Sequence, residues 1–225
     1  MEMKVILFLT SLSSLSLHSS LLVNQHVQQK PLISSMNRES LLQYQQEFCL
    51  QYHLNDSQEE IFQKVCELLL SSQYSPFLLI QGVFGSGKSY TIAILLLFLY
   101  SLQTISQSQL AVLFCSHTNT AVDRVCRLLK EFEFKNFRRF GNIRKIHPEI
   151  RSFYGNKKEI GNNENNIITT TLCSLSEMID SMDIIIIDES SQVTEYYVYC
   201  IINFLMILGF ITMFINESKT SNLNW

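Results

Sequence analysis

The sequence predicts an α/β fold with a parallel sheet covered on both faces by helices. Three observations lead there. Short apolar, β-branched runs alternate with helix-period segments along most of the chain, the rhythm of βαβ units. The run Ile184-Ile185-Ile186-Ile187 is apolar at every position, as in a strand buried on both faces. A glycine-rich loop stands between the apolar strand Phe77-Leu78-Leu79-Ile80 and the helical run Tyr90 to Leu97.

That loop, Gly82-Val83-Phe84-Gly85-Ser86-Gly87-Lys88-Ser89, matches Gly-x-x-x-x-Gly-Lys-[Ser/Thr] in its strand–loop–helix context. Gly82, Gly85 and Gly87 let consecutive backbone N–H groups curl around phosphates, and the helix N-terminus adds positive potential. Lys88 is placed to reach the β- and γ-phosphates, and the Ser89 hydroxyl to ligate Mg²⁺. The bland alternative is a glycine-rich turn without a ligand. Strand, helix, Lys and Ser all in register set it aside, and nucleotide binding is implied.

Residues 1–53 read as a loosely structured lead-in. Lys4 followed by Val5-Ile6-Leu7-Phe8-Leu9 resembles a secretory signal in outline, but Glu2 offsets the charge and no Ala-x-Ala site follows. Residues 21–52 are rich in Gln and Ser, with a short helix expected around Glu39–Tyr52. The folded domain is expected over residues 54–195. Asp56 as N-cap with Glu59 three residues on forms a capping box. Ile61, Val65, Leu68 and Leu69 then mark one core-facing helical stripe to about Ser71.

After the loop, a helix apolar nearly all round is expected from about Gly87 to Leu102. A strand follows at Leu110–Cys115, a turn at Ser116–Asn119, and a helix through about Phe132. A short strand is expected at Phe137–Phe140, ending at Gly141. Asn156–Asn166 reads as a surface loop, Ile167–Thr170 as a strand, and Ser174–Ile179 as a short helix.

The 225 residues suffice for one large or two small domains, and 47% hydrophobic with 16% charged content is apolar-rich. The overall charge of −3 is unevenly spread. Arg124 to Lys158 carries eleven Lys/Arg against three Glu, a net +8 that leaves −11 elsewhere. A basic stretch on an acidic body points to a polyanion partner, against the plainer reading of a solvated helix and loop surface. Phe134, Phe137, Phe140 and Phe153 lie among those charges, as base-stacking candidates or as core. The six cysteines show no Cys-x-x-Cys pair and no zinc-ligand spacing, so buried free thiols are expected.

Asp188-Glu189-Ser190-Ser191-Gln192 follows directly from the isoleucine strand. A carboxylate at that strand end, beside a phosphate loop, is placed to hold Mg²⁺. Asp188 takes the metal role, and Glu189 the role of general base on the attacking water.

These residues resemble the first RecA-like motor domain of superfamily 1 nucleic-acid helicases. Within them the chain is similar to the branch of RNA-surveillance and GRF-zinc-finger helicases. Leu54-Asn55-x-x-Gln58 resembles the adenine-reading element, which puts Gln58 on the adenine edge. Gly82–Ser89 resembles motif I, and Asp188 to Gln192 motif II. Ser116-His117-Thr118-Asn119-Thr120-Ala121-Val122-Asp123 resembles motif Ia, so Thr118 and Asn119 are expected on a nucleic-acid backbone. Arg138-Arg139-Phe140-Gly141 resembles the Arg-x-Gly element, and Thr170-Thr171-Leu172 a strand-contact motif. Arg139 and Thr171 are therefore expected nucleic-acid contacts, and Lys88, Asp188, Glu189 and Gln192 catalytic ones. The resemblance implies ATP and Mg²⁺ as cofactors, single-stranded or unwinding DNA or RNA as partner, and 5′→3′ movement. It places the protein in the nucleus, with the cytoplasm as alternative.

Beyond Gln192 the resemblance stops: no Gly-Asp-x-x-Gln element and no second RecA-like domain follow. Residues 196–225 read as an apolar tail, of which Tyr196 to Ile215 is long enough for a membrane span. A span, a buried core helix and a chain end that is not native coding sequence all stay open. A membrane partner is not expected. Another P-loop ATPase or kinase, and a non-catalytic nucleic-acid-binding relic, are the competing functions. The first leaves Gln58, the motif Ia stretch and the basic segment without explanation.

Overall fold

The computed structural model describes residues 3–6, 33, 36–70, 77–83, 85–108, 110–155, 167–177, 182–188 and 211–217. They build one seven-stranded sheet in the order β1-β2-β7-β6-β3-β5-β4. The strands are β1 (Met3–Ile6), β2 (Phe77–Gly82), β3 (Val112–Ser116), β4 (Phe137–Arg139), β5 (Ile167–Thr171), β6 (Ile184–Asp188) and β7 (Ile211–Glu217). Every pairing is parallel except that of β1 with β2. The parallel α/β architecture read from the sequence is the one the chain adopts.

The helices are α1 (Arg38–Gln51), α2 (Asp56–Leu70), α3 (Lys88–Ser106) and α4 (Asn119–Glu131). In α3 every residue from Thr91 to Leu99 is buried, which explains a sequence apolar on all sides. The helix is long and apolar enough to cross a membrane, yet it serves as the core of the domain. By contrast, α4 has one apolar face. Val122, Val125, Cys126 and Leu129 are buried, while Arg124, Arg127 and Lys130 are exposed.

The start of α2 differs from expectation. The reciprocal pair is Asn55 and Gln58, not Asp56 and Glu59: Gln58 N donates to Asn55 Oδ1 (3.0 Å), and Asn55 N to Gln58 Oε1 (3.1 Å). The box sits one residue earlier because Gln58, which is buried, then also reaches α3.

Both chain ends also differ from expectation. Met3–Ile6 pairs antiparallel with β2 as an edge strand, in the part read as a loose lead-in. In the expected tail, Ile211–Glu217 lies between β2 and β6 and is hydrogen-bonded to both. Since Ile211–Ile215 belongs to a strand, the run Tyr196 to Ile215 is not one continuous membrane-crossing helix. An apolar, β-branched sequence such as Ile-Thr-Met-Phe-Ile suits a central parallel strand.

Candidate nucleotide and nucleic-acid site

The phosphate loop leaves β2 at Gly82 and enters α3 at Lys88. Gly85 (φ +79°) and Gly87 (φ +84°) adopt left-handed conformations that glycine takes without a Cβ clash. A Cβ at Gly87 would lie 3.2 Å from Gln58 Nε2, so this glycine also allows the adenine-element residue to close on the loop. Ser86 N donates to Val83 O (3.2 Å), and Thr91 N donates to Gly87 O (2.9 Å) as the helix begins. Lys88 folds back over the loop, its Nζ donating to Gly82 O (2.9 Å) and Val83 O (3.0 Å). Ser86 Oγ is buried and makes no hydrogen bond among the described residues. Two left-handed glycines, a helix N-terminus, a lysine and an unsatisfied hydroxyl form a donor-rich cradle that fits phosphate oxygens. Phe84 lies outside the described residues.

Ser89 is half-buried in the first turn of α3. Asp188 ends β6, buried, in register with Ser116 on one side and Ile215 on the other. Burial first, and then the Asp188 charge, push the adjoining Cys115 thiol far up. With β7 between them, the ends of β2 and β6 lie two strand spacings apart, roughly 10 Å, on the same carboxyl edge. In open parallel sheets this edge is where ligands bind. The described residues contain no cluster of three or more His, Cys, Asp or Glu that could hold a metal. Magnesium is commonly held by one or two carboxylates together with substrate phosphates and water, so Ser89 and Asp188 are a fitting pair. Glu189 and Gln192 lie outside the described residues.

Gln58 is drawn against the loop from α2. Its Nε2 donates to Thr91 Oγ1 (2.8 Å), which in turn donates to Gly87 O (3.2 Å). The amide expected on adenine thus braces the phosphate helix in this structure. Tyr90, the next residue after Ser89, donates its hydroxyl proton to Tyr52 O (3.0 Å), securing the end of α1 to the same helix. Neither Thr91 nor Tyr90 was singled out from the sequence, because their partners lie more than thirty positions away.

The expected nucleic-acid contacts lie along the same edge. Thr118 caps α4, its Oγ1 accepting from Ala121 N (3.2 Å), and Asn119 is the first residue of that helix. Thr171 ends β5 in register with Ser116. Thr118 and Asn119 are half-buried, and Thr171 is 9% exposed.

Arg139 differs: its side chain is fully buried, so it is not a direct strand contact in this structure. Its Nε donates to Asp123 Oδ1 (2.8 Å), its Nη2 to Asn119 Oδ1 (2.8 Å) and its Nη1 to Phe140 O. Asp123 Oδ2 accepts from His147 N (2.8 Å). A charge this deep is stable only when its hydrogen bonds are made internally, and here they are. Nothing in the sequence marked Asp123 as the partner, sixteen positions from Arg139.

The phenylalanines are core rather than bare stacking platforms. Phe137 stacks on Phe153 (4.3 Å) and on Phe134 (6.3 Å), and Phe140 is buried against Gly155. The basic segment still presents charge to solvent: Arg124, Arg127, Lys130, Lys135, Arg144, Lys145 and Arg151 are all exposed. Arg127 pairs with Glu149 (3.4 Å) at the surface. Cys49, Cys66, Cys115 and Cys126 are buried free thiols, as the cysteine pattern led us to expect, whereas Cys173 is a free thiol that is exposed.

A parallel sheet with a phosphate loop on β2, an acidic residue ending β6 and one strand between them defines a RecA-like P-loop NTPase domain. Residues 53–153 match the family model described as an AAA domain. The chain is 34% identical over 163 residues to the DNA replication ATP-dependent helicase/nuclease DNA2 of Bos taurus, covering 65% of this chain and 14% of that protein. The Homo sapiens DNA2 matches with the same identity and coverage. The 5'-3' DNA helicase ZGRF1 of Mus musculus is 42% identical over 82 residues, 33% of this chain and 4% of that protein. Over this region the chain is similar to the motor domains of superfamily 1, DNA2/NAM7-like helicases. The chain spans 14% of the length of these DNA2 relatives. Among solved structures, the UvsW helicase from bacteriophage T4 aligns with a TM-score of 0.43 at 15% identity, covering 70% of this chain and 50% of that one.

Proposed function

We propose that this chain is the first RecA-like motor domain of an ATP-driven nucleic-acid helicase, binding ATP·Mg²⁺ and a single strand along one sheet edge. The observation that carries the reading is the order of that edge. Gly82 and the phosphate loop stand at one side, Asp188 in the middle, and Ser116, Thr118, Asn119 and Thr171 beyond it. Nucleotide chemistry and strand contact thus share adjacent strands, β6 and β3, so a shift at one is felt at the other.

In this reading Lys88 leaves the loop carbonyls for the β- and γ-phosphates, and Ser86 Oγ gains an acceptor. Ser89 and Asp188 would hold Mg²⁺, which neutralises developing phosphate charge. Glu189 takes the proton of the attacking water, and Gln192 completes its motif. Gln58 offers the adenine edge its remaining amide capacity. Exposed lysines and arginines supply salt-sensitive, sequence-independent affinity. By resemblance, movement is 5′→3′. A nuclear location is proposed with it, since the DNA2 relatives are named for DNA replication.

One RecA-like domain taken alone is expected to hydrolyse ATP negligibly, since trans-acting arginines at the transferring phosphate are worth on the order of 10³–10⁵ in rate. Titration of the purified chain with a fluorescent ATP analogue, with and without Mg²⁺, tests the reading. Saturable, Mg²⁺-dependent binding competed by ATP is expected; no binding at millimolar nucleotide overturns it.

A further inference from the structure

We propose that Arg139 is a positioning residue that sets Asn119 as a hydrogen-bond donor toward an anionic strand, an inference that rests on the strand-binding reading above. A guanidinium carries donors only, so the Asn119 atom that faces Arg139 Nη2 at 2.8 Å must be the carbonyl oxygen. Chemistry, not convention, settles the amide's orientation. What remains of the Asn119 side chain is its NH₂ group, a pure donor on a half-buried residue at the positive end of α4. That group suits a phosphate oxygen.

The clamp is built to be rigid. Asp123, one turn along α4 from Asn119, neutralises the guanidinium and also accepts from His147 N. Phe140 O takes the third donor direction. Gly141 explains the Arg-x-Gly spacing: its φ is +136°, and a Cβ there would sit 3.3 Å from Arg139 Nη1. Three segments therefore meet on one buried cation, the first turn of α4, the end of β4 and the Gly141 turn, and the approach to Pro148 joins them through Asp123. Arg139 acts on the strand through Asn119 and touches no phosphate itself.

The test uses the whole 225-residue chain and a fluorescein-labelled oligo-dT of about 20 nucleotides, a length that covers the 4–16-nucleotide sites of single-strand binders. Anisotropy is followed across a salt series, with melting temperatures alongside. Asn119→Asp keeps an acceptor for Arg139 but removes the donor, so a merely structural Asn119 predicts no loss. Thr120→Asp, at an exposed neighbour, controls for the added charge. Asn119→Asp is expected to bind at least about 5-fold more weakly than Thr120→Asp without a fall in melting temperature, as for one lost charge-assisted hydrogen bond. Arg139→Lys is expected to weaken binding while keeping the wild-type log–log salt slope. Equal binding by the two Asp variants overturns the proposal. So does an Arg139→Lys variant that folds and binds as tightly as wild type. If Arg139→Lys fails to fold, the Asp pair decides. Wild-type protein that does not bind oligo-dT would instead remove the strand-binding reading itself, and this inference with it.

Discussion

Gln58 Nε2 donates to Thr91 Oγ1 across 2.8 Å, joining the cap of α2 to the first turn of the phosphate helix. The same side chain closes the Asn55 capping box through its Oε1. One amide therefore serves helix start, loop closure and, in the proposed function, the adenine edge.

Truncating it separates these roles. Gln58→Ala is expected to lower stability by about 1–2 kcal/mol, the value of a cap and a buried hydrogen bond. Gln58→Glu keeps the acceptor for Asn55 N but turns the donor to Thr91 Oγ1 into an acceptor, which Thr91 can meet only by turning its proton away from Gly87 O, so a stability between those of Gln58→Ala and wild type is expected. Both variants should bind the fluorescent ATP analogue more weakly. Urea melts of the three proteins, with and without nucleotide, make the comparison. A Gln58→Ala protein as stable as wild type would show the brace to be idle.

Lys88 meets two loop carbonyls, Gly82 O and Val83 O. Lys88→Ala should therefore change the melting temperature little, since the site is half-buried and the carbonyls can bind water. Nucleotide affinity should fall at least about tenfold, as expected when one charge-assisted contact worth roughly 1.5–3 kcal/mol is lost. Unchanged affinity would mean that the loop holds no phosphate.

Removing β7 should break the fold. Ile215 lies in register with Ile80 of β2 and with Asp188 of β6, and among the described residues β7 joins those two strands. A chain ending at residue 210 leaves the phosphate-loop strand without its parallel neighbour, and the ladder hydrogen bonds of β2 and β6 toward β7 unmade. We expect loss of the cooperative thermal transition by circular dichroism and rapid proteolysis. A truncated chain that melts as sharply as the full one would show β7 to be dispensable.

Asp183 gives a pH dependence. Burial raises its pKa above the ordinary carboxylate range, partly offset by the hydrogen bond from Ala111 N to its Oδ2 (2.7 Å). The folded state thus holds this proton more tightly than the unfolded chain. Its contribution favours folding at low pH and is lost as pH rises through the folded pKa. Asp183→Asn can keep an acceptor for Ala111 N and carries no charge. Its urea midpoint should gain on wild type as pH rises from about 4 toward neutrality, since the unfolded carboxylate titrates near 3.9. A constant difference between the two proteins across that range would contradict the assignment.

Legibility differed between the two halves of the site. The phosphate loop and Asp188 could be read directly, because their chemistry depends on a few consecutive residues between a strand and a helix. The placement of Thr118 and Asn119 at the head of α4 was legible from a contiguous stretch as well. Arg139 was misjudged as a surface contact for the opposite reason. A charged residue in a basic segment looks solvent-facing until Asp123, Asn119 and Phe140 O are seen around it. The capping box slipped by one residue because Asp56 and Asn55 are both good caps, and only the reach of Gln58 to Thr91 favours Asn55.

By itself, the sequence determined the parallel α/β class, the anion cradle at Gly82–Ser89, the acidic strand end at Asp188, and the order of elements between them. Each follows from local periodicity or from a glycine loop set between a strand and a helix. Only the tertiary structure decided that Ile211–Glu217 is a central strand and that Arg139 is an internal clamp. Whether an apolar run joins a sheet, or a cation goes inside, depends on partners that the chain brings together only on folding. Hydrogen-bond satisfaction by distant residues sets the outcome in both cases.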